Sequence, residues 1–197
     1  QQPEQLHRIL QQVNHHLLEA SNQDPGLADM HSTFCALVFN QRTRRAVWLH
    51  VGDSRIYHFR QGQLISRTRD HSMLQWLQDH QQTAPSCQRN TLYSALGEHS
   101  SQLQVDVSSV FSACPGDWFL LCSDGLWEHF SDDELGLMGS NLRLQPDCCT
   151  HIHQVALSRA RGRADNLSSI LLFIEHEGTQ SGSYPWQSQR GYRVDQV

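Results

Sequence analysis

Three aspartates stand at the ends of apolar runs, where a carboxylate could work at the rim of a sheet. Asp53 follows the run AVWLHVG, Asp124 follows WFLLCS, and Asp165 comes shortly before LSSILLFI. Apolar runs bounded by turn residues predict β-strands, so each carboxylate is expected where the backbone leaves a sheet. The aspartates are 71 and 41 positions apart. No single helix or hairpin brings such residues together, but neighbouring strand ends can.

Three carboxylates in one place repel one another unless a cation holds them. An all-oxygen ligand set favours a hard ion such as Mg²⁺ or Mn²⁺. Gly52 and Gly125 stand beside two of the aspartates and would let the backbone turn sharply and approach an ion closely. Asp-Gly and Asp-Asn are also common in ordinary turns. Spacing alone therefore leaves both interpretations open, a metal site and a set of turns.

The elements that would position these residues include both helices and strands. Apolar residues recur at helical spacing over 5–19, which predicts an amphipathic helix. Further helices are expected over 72–82, 132–139 and 147–160, and strands over 33–39, 46–51, 56–59, 63–66, 103–107, 118–122 and 167–174. Short polar separators between the early strands indicate an antiparallel meander.

The composition excludes several classes of function. All fifteen basic residues are arginine, so the chain lacks the lysine that phosphate-binding loops, protein kinases and Schiff-base enzymes need. None of the six cysteines has an arginine six positions later, so the loop of a cysteine phosphatase is not found. A formal charge of −5 with only small arginine clusters argues against a nucleic-acid partner.

The cysteines show no CxxC pair and no regular spacing, so free thiols are expected. Cys148, Cys149, His151 and His153 are ligand types that zinc accepts. Only Cys149 and His153 share one face of a helix, which argues against a zinc site there.

Length and hydropathy indicate one domain over 1–175, followed by a polar tail over 176–197 that is expected to be flexible. No apolar stretch approaches the roughly 20 residues that cross a bilayer, so no membrane span is expected. The first residues lack the basic and then apolar pattern of a leader peptide, so none is expected from this stretch. A soluble, cytoplasmic protein is therefore expected.

Four sequence blocks resemble the metal-dependent serine/threonine protein phosphatases, the PPM or type 2C family. They are VGDSRIYHFRQGQLISRTRDHS at 51–72, LYSALG at 92–97, GDWFLLCSDGLWEHFSDDEL at 116–135 and ADNLSSILLFI at 164–174. MHSTFCALVF at 30–39 resembles the strand that precedes them, with His31 where the family usually has glycine. Each motif is weak alone, but their order and separation are specific. The spacing of GDSR to TRDHS looks most like bacterial members.

The resemblance implies an α+β fold, a PPM-type β-sandwich of two antiparallel sheets flanked by helices, with a two-metal site at one edge. Asp124 and Asp165 resemble core ligands of Mn or Mg, with two ions expected. Asp53 resembles the ligand of a third, weaker site shared with Asp124. The implied reaction is hydrolysis of phosphoserine and phosphothreonine in proteins by a metal-activated water at a binuclear site.

The same blocks assign residues around the metals. Gly125 would bring its backbone beside an ion. Asp70 and His71 lie where the family starts its flap, so they are expected to have a structural or substrate-edge role. No catalytic side chain is implied beyond the metal-bound water. The implied partners are phosphorylated proteins and a serine/threonine kinase in the same pathway.

One part of the family pattern, a DGxGG segment after a strand with an arginine and an acidic pair, is not found in this sequence. The helix over 5–19 resembles the one that follows DGxGG, so the domain is expected to be incomplete at its N-terminus and the chain inactive by itself. Three functions stay open. One is a phosphatase whose other ligands lie upstream, which the three aspartates favour. The second is a catalytically inactive regulatory or phosphoprotein-binding module, and the third is a plain structural β-sandwich.

Overall fold

The structure is a computed structural model that describes residues 2–83, 91–99, 101–142, 147–163 and 165–175. The chain forms two compact units. Unit one comprises Gln1–Ile56 and Thr68–Ser112, and unit two comprises Tyr57–Arg67 and Ala113–Val197. The tail predicted over 176–197 lies outside the described residues.

The described elements are five α-helices, one 3₁₀ helix at Pro25–Leu27 and eight strands. The helices are α1 (Gln2–Gln23), α2 (Met73–Asp79), α3 (Asp124–Trp127), α4 (Asp132–Leu142) and α5 (Cys148–Ala160). The strands are β1 (Phe34–Asn40), β2 (Arg45–Val51), β3 (Arg55–Arg60), β4 (Gln63–Arg67), β5 (Asp106–Val107), β6 (Phe111–Ser112), β7 (Asp117–Cys122) and β8 (Ser169–Phe173). Within these described residues, no helix is both long and apolar enough to cross a membrane.

Unit one is built on a four-stranded sheet in which β2 is the central strand. β1 pairs with β2 antiparallel along its full length, from Phe34 opposite Val51 to Asn40 opposite Arg45. β5 and β6 pair with the other edge of β2, also antiparallel. Apolar residues of β2 alternate inward and form a core with α1 and the loops before β5, with the buried members Leu10, Leu49, Val51, Leu96 and Val105.

The amphipathic pattern over 5–19 forms α1, which is longer than predicted because it continues through polar residues to Gln23. Leu6, Leu10 and Leu17 lie on the face that packs against the sheet. Asn14 on the same helix is buried, and its amide bonds the carbonyl of Glu98 at 2.9 Å and the N–H of Gly97 at 2.7 Å. These bonds satisfy the buried amide and attach α1 to the loop over 97–98.

Unit two is built on a second four-stranded sheet in the order β4-β3-β7-β8. β3 and β4 form an antiparallel hairpin, and β7 and β8 pair antiparallel from Trp118 opposite Phe173 to Cys122 opposite Ser169. Helix α4 contacts β4, and α5 contacts β8. The core of this unit joins strand residues to helix residues, and its buried members are Tyr57, Phe59, Trp118, Leu120, Cys122, Leu126, Phe130, Leu135, Leu142, Ile152 and Ala156.

The prediction of two antiparallel sheets flanked by helices is confirmed, but the predicted meander is wrong. β1–β2 and β3–β4 are hairpins of two different sheets, because the chain leaves the first sheet at the turn over 52–54. The strand predicted over 103–107 is reduced to Asp106–Val107. The short elements β6 and α3 were not predicted, since elements of two or four residues show no periodicity.

Candidate functional site

Asp124 lies at the end of the buried strand β7. The apolar residues of β7 continue to Cys122, Ser123 is extended, and the backbone then enters the single turn of α3 at Asp124. Asp124 is half-buried, and its Oδ1 accepts a hydrogen bond from the N–H of Gly125 at 2.9 Å. The strand thus ends by projecting a carboxylate from the rim of the second sheet, as the sequence predicted.

Asp165 lies in the loop that leads into β8, the neighbour of β7. Cys122 pairs with Ser169, so the residues after β7 lie beside those before β8. Ser123 joins the two segments, because its Oγ donates to the carbonyl of Asn166 at 3.0 Å and accepts from the N–H of Ser168 at 3.0 Å. Its own N–H donates to the carbonyl of Ser168 at 3.1 Å. Asp165 itself is exposed.

Gly125 is the point at which the two aspartate segments touch. A Cβ at this position would lie 2.7 Å from the carbonyl oxygen of Asn166 and 3.2 Å from Cβ of Asp165. The first distance is shorter than any side chain tolerates, so glycine is required by the close approach of the loop. The structure therefore brings the Asp124 turn and the Asp165 loop together at one edge of the second sheet.

Asp53 stands at the corresponding exit from the first sheet. Gly52 has a φ of +94°, a conformation that favours glycine, and a Cβ there would lie 2.5 Å from Cγ2 of Thr33. Thr33 Oγ1 and Ser54 Oγ are 2.8 Å apart and share a hydrogen bond. Asp53 is half-buried between these two fixed neighbours. It belongs to unit one, whereas Asp124 and Asp165 belong to unit two, so an ion shared with Asp124 stays a prediction.

Asp70 and His71 are both buried, at 5% and 1% exposure. Arg55 binds Asp70 through two parallel hydrogen bonds, from Nε at 2.8 Å and from Nη2 at 2.7 Å. The N–H of His71 donates to the carbonyl of Gly52 at 2.9 Å. These contacts lie within the protein, and the structural or substrate-edge role of both residues stays a prediction.

A buried charged group at the start of β7 was not predicted from the sequence. The side chain of Asp117 is fully buried, and Arg60 binds it with Nε at 2.6 Å from Oδ1 and Nη2 at 2.9 Å from Oδ2. His58 Nε2 and the N–H of Cys114 also contact Oδ2, at 2.9 and 2.8 Å. Burial raises the pKa of Asp117, but the bonds from Arg60, Cys114 and His58 outweigh it and hold that pKa below its usual value.

A second cluster that sequence reasoning missed joins His50, His71 and Asp106 in unit one. One candidate ligand atom from each lies within 4.8 Å of the others. Hydrogen bonding from His71 lowers the pKa of Asp106, and burial lowers the pKa of His50. The signal available in the sequence was a histidine within the apolar run VWLHV.

The cysteine and histidine cluster of α5 does not assemble a metal site among the described residues, where only the His50 cluster brings three candidate ligands together. His153 Nε2 instead lies 2.9 Å from Ser169 Oγ on β8. The described cysteines 35, 114, 122, 148 and 149 are not joined in disulfides.

The carboxylates at the edge of the second sheet fit a hard divalent cation. Asp124 and Asp165 each use Oδ1 for a bond to the next backbone N–H, at 2.9 and 2.7 Å. Each N–H donor fixes its carboxylate, and the oxygens retain further lone pairs for a cation. An oxygen donor set without sulfur or nitrogen suits Mg²⁺ or Mn²⁺ better than zinc.

Comparisons with known proteins agree with the sequence blocks. The family profile "Protein phosphatase 2C" matches residues 1–170. A protein of Streptococcus pyogenes serotype M6 described as "Putative protein phosphatase 2C-type" is 30% identical over 141 residues, which are 68% of this chain and 55% of that protein. The chain thus spans about half the length of this relative.

Solved structures resemble the fold over most of the chain. One is PppA, described as a key regulatory component of T6SS in Pseudomonas aeruginosa, with a TM-score of 0.66 and 32% identity over 82% of this chain and 65% of that one. Another is the catalytic domain of the serine/threonine protein phosphatase PstP in complex with two manganese ions. Its TM-score is 0.66, with 25% identity over 83% of this chain and 67% of that one.

Proposed function

The chain belongs to the protein phosphatase 2C family, as its four sequence blocks predicted, and we propose that it serves the hydrolysis of phosphoserine and phosphothreonine in proteins. The observation that carries this proposal is the contact at Gly125, which brings Asp124 and Asp165 together at one sheet edge. Two strand ends joined by Ser123 form a rigid base for two carboxylates. Catalysis by metal ions needs ligands held in this way.

We assign Asp124 and Asp165 as ligands of a binuclear Mn or Mg site, and Asp53 as the ligand of a third ion. When bound, the ions supply an activated water and positive charge beside the phosphoryl group. The protein holds the Asp124 and Asp165 carboxylates through the N–H groups of Gly125 and Asn166. The manganese complex of PstP supports the choice of metal.

The proposed partners are phosphorylated proteins, together with a serine/threonine kinase of the same pathway. The description of PppA as a regulatory component of T6SS supports a role in the control of a larger process. Neither partner class requires a nucleic-acid surface, which the charge of −5 does not favour.

Hydrolysis of a phosphoserine peptide by the full-length protein, with any sequence upstream of Gln1, tests the proposal. We expect phosphate release that requires Mn²⁺ and is lost in Asp124→Asn. The control is Asp133→Asn, which removes an exposed carboxylate of the same unit. Activity that survives Asp124→Asn would refute the assignment. Peptide binding without turnover, unaffected by EDTA, would favour the inactive phosphoprotein-binding module instead.

A further inference from the structure

His50, His71 and Asp106 form a cluster that contacts Gly52, the residue before Asp53. The two imidazole rings are buried, at 2% and 1% exposure, and their centroids are 4.5 Å apart. His71 Nε2 is 3.2 Å from Asp106 Oδ2. Buried ring nitrogens of both histidines, Nδ1 of His50 and Nε2 of His71, lack a well-aligned hydrogen-bond partner. The spacing alone would allow the cluster to hold a cation.

The hydrogen bonds on the opposite sides of the rings determine where the protons lie. His50 Nε2 is 2.8 Å from the carbonyl oxygen of Arg69, which only accepts, so Nε2 carries a proton and Nδ1 has the lone pair. His71 Nδ1 is 3.2 Å from the N–H of Gly52, which only donates, so Nδ1 has the lone pair and Nε2 carries the proton. The proton of His71 therefore lies on Nε2, the ring nitrogen that is 3.2 Å from Asp106 Oδ2.

This proton arrangement argues against a resident metal ion. A metal-binding nitrogen needs a free lone pair, and the lone pair of neutral His71 is used by Gly52. An ion at the cluster would force the His71 proton onto Nδ1, against the N–H of Gly52. The cluster instead forms a chain of contacts that begins at Asp106 and ends at the Gly52 peptide.

His71 binds both backbone polar groups of Gly52. The N–H of His71 donates to the Gly52 carbonyl at 2.9 Å, and the Gly52 N–H donates to His71 Nδ1 at 3.2 Å. On its other side Gly52 is packed against Thr33, which also bonds Ser54. The residue between Gly52 and Ser54 is Asp53, so the two neighbours of this carboxylate are fixed.

We propose that His71 is a positioning residue for Asp53. It orients the Asp53 carboxylate by holding the Gly52 peptide in place. Asp106 keeps His71 in the tautomer that accepts the hydrogen bond from the Gly52 N–H. This proposal rests on the proposed function, because it takes Asp53 as a metal ligand. Groups that orient a ligand typically contribute about 10–100-fold to metal affinity. His71 acts in this way through the peptide rather than by contact with the carboxylate.

Nuclear magnetic resonance tests the contact itself without any activity. We expect His71 and His50 both to carry their proton on Nε2, and a hydrogen-bond coupling between the amide nitrogen of Gly52 and His71 Nδ1. In His71→Leu the Gly52 amide should exchange with solvent faster. In His71→Asn, whose Oδ1 can replace Nδ1 as acceptor, exchange should stay close to that of the unchanged protein. A proton on Nδ1 of His71, or equal Gly52 exchange in all three proteins, would overturn the proposal.

A Mg²⁺ titration followed at the amides of 52–54 tests the consequence for Asp53. His71→Leu should raise the Mg²⁺ concentration at half-change by about tenfold, and His71→Asn should restore most of the affinity. The amides of Asp165 and Asn166, beside a ligand not assigned to the Asp53 ion, serve as the control and should keep their response in His71→Leu. Asp106→Ala, at a half-exposed position, should shift Gly52 exchange and the Asp53 titration in the same direction by a smaller factor.

The outcomes separate the positioning role from the function on which it rests. Faster Gly52 exchange in His71→Leu with unchanged Mg²⁺ affinity would overturn the positioning role alone. Mg²⁺ should shift the amides of 52–54 in the unchanged protein, and Asp53→Asn should remove that shift. If either result is not found, the assignment of Asp53 as a ligand fails, and the proposal fails with it. A Zn²⁺ ion that binds both His50 and His71 would overturn the proposal by showing that the cluster is a metal site.

Discussion

Gly125 shows how one residue without a side chain can determine the geometry of a site. Its missing Cβ makes room for the carbonyl of Asn166 and for Asp165. The role of Asp124 and Asp165 as ligands stays a prediction, but their placement beside strands could be predicted from the sequence, because each is adjacent to an apolar run. Their contact partner could not, since the close approach of the loop to Gly125 depends on the pairing of β7 with β8.

Gly125→Ala should disturb the site more than the fold. The new methyl group would displace the loop over 165–166, so we expect weaker Mn²⁺ binding at Asp124 and Asp165, measured by calorimetry. Gly26→Ala is the control, because its methyl group meets only the side chain of Asp24. Unchanged Mn²⁺ affinity in Gly125→Ala would contradict the role given to this contact.

Asp117 shows what the sequence could not reveal at the level of residues. Its partners His58 and Arg60 are 59 and 57 positions away, so nothing local distinguishes it from a turn aspartate. The pairing depends on β3 and β7 being neighbours in the second sheet. The proximity of His50 and Asp106 could not be predicted for the same reason, because these residues lie opposite each other on the paired strands β2 and β5.

Asp117→Ala should lower the free energy of unfolding by about 3 kcal/mol, because it leaves Arg60 and His58 without their buried partner. Asp132→Asn breaks a more exposed pair with Arg67 and should cost about 0–1 kcal/mol. Urea unfolding measures both values. A similar loss in the two variants would show that burial of Asp117 contributes little.

At the scale of elements, the strands and long helices could be predicted from apolar periodicity, but the assignment of the strands to two sheets could not. The turn over 52–54 looks in sequence like the turns inside the hairpins, although it takes the chain from one sheet to the other. The difference lies in what the turn touches. Gly52 packs on Thr33 and bonds His71, contacts that involve residues 19 positions away in either direction.

Ser123→Ala should loosen the loop before β8. Ser123 Oγ is the acceptor of the Ser168 N–H and a donor to Asn166, so its removal leaves both groups dependent on water. We expect faster hydrogen exchange at Ser168 and a loss of about 1 kcal/mol in stability. Ser112→Ala, at an exposed position of β6, is the control. If Ser168 exchange does not change, Ser123 does not join the two segments.

At the scale of the whole molecule, each unit has its own sheet and its own core, and each buries at least one histidine. Burial lowers the pKa of His50 and also that of His58, although Asp117 acts on His58 in the opposite direction. Both pKa values therefore lie below the unfolded value of about 6.5. At a pH between the lowered pKa of such a histidine and its unfolded value, the unfolded state binds more protons than the folded state.

Stability should therefore fall as the pH drops below about 6.5. The low pKa of Asp117 adds a contribution that is present above about 3.9 and is lost as the pH falls through the folded value. Urea unfolding at pH 7.5 and 5.5 measures the first effect, which should be smaller in His58→Gln and unchanged in His151→Gln, at an exposed position. Greater stability at pH 5.5 than at pH 7.5 would contradict this account.

The central claim is that Asp124 and Asp165 hold one metal ion together, and a double-mutant cycle of Mn²⁺ affinity by calorimetry tests it most directly. We expect Asp124→Asn and Asp165→Asn each to weaken Mn²⁺ binding by about tenfold or more, the scale of losing even an outer partner of a ligand. The double variant should lose much less than the two losses added, because residues that share a ligand are coupled. Additive losses, or an Mn²⁺ affinity unchanged in Asp124→Asn, would contradict the claim.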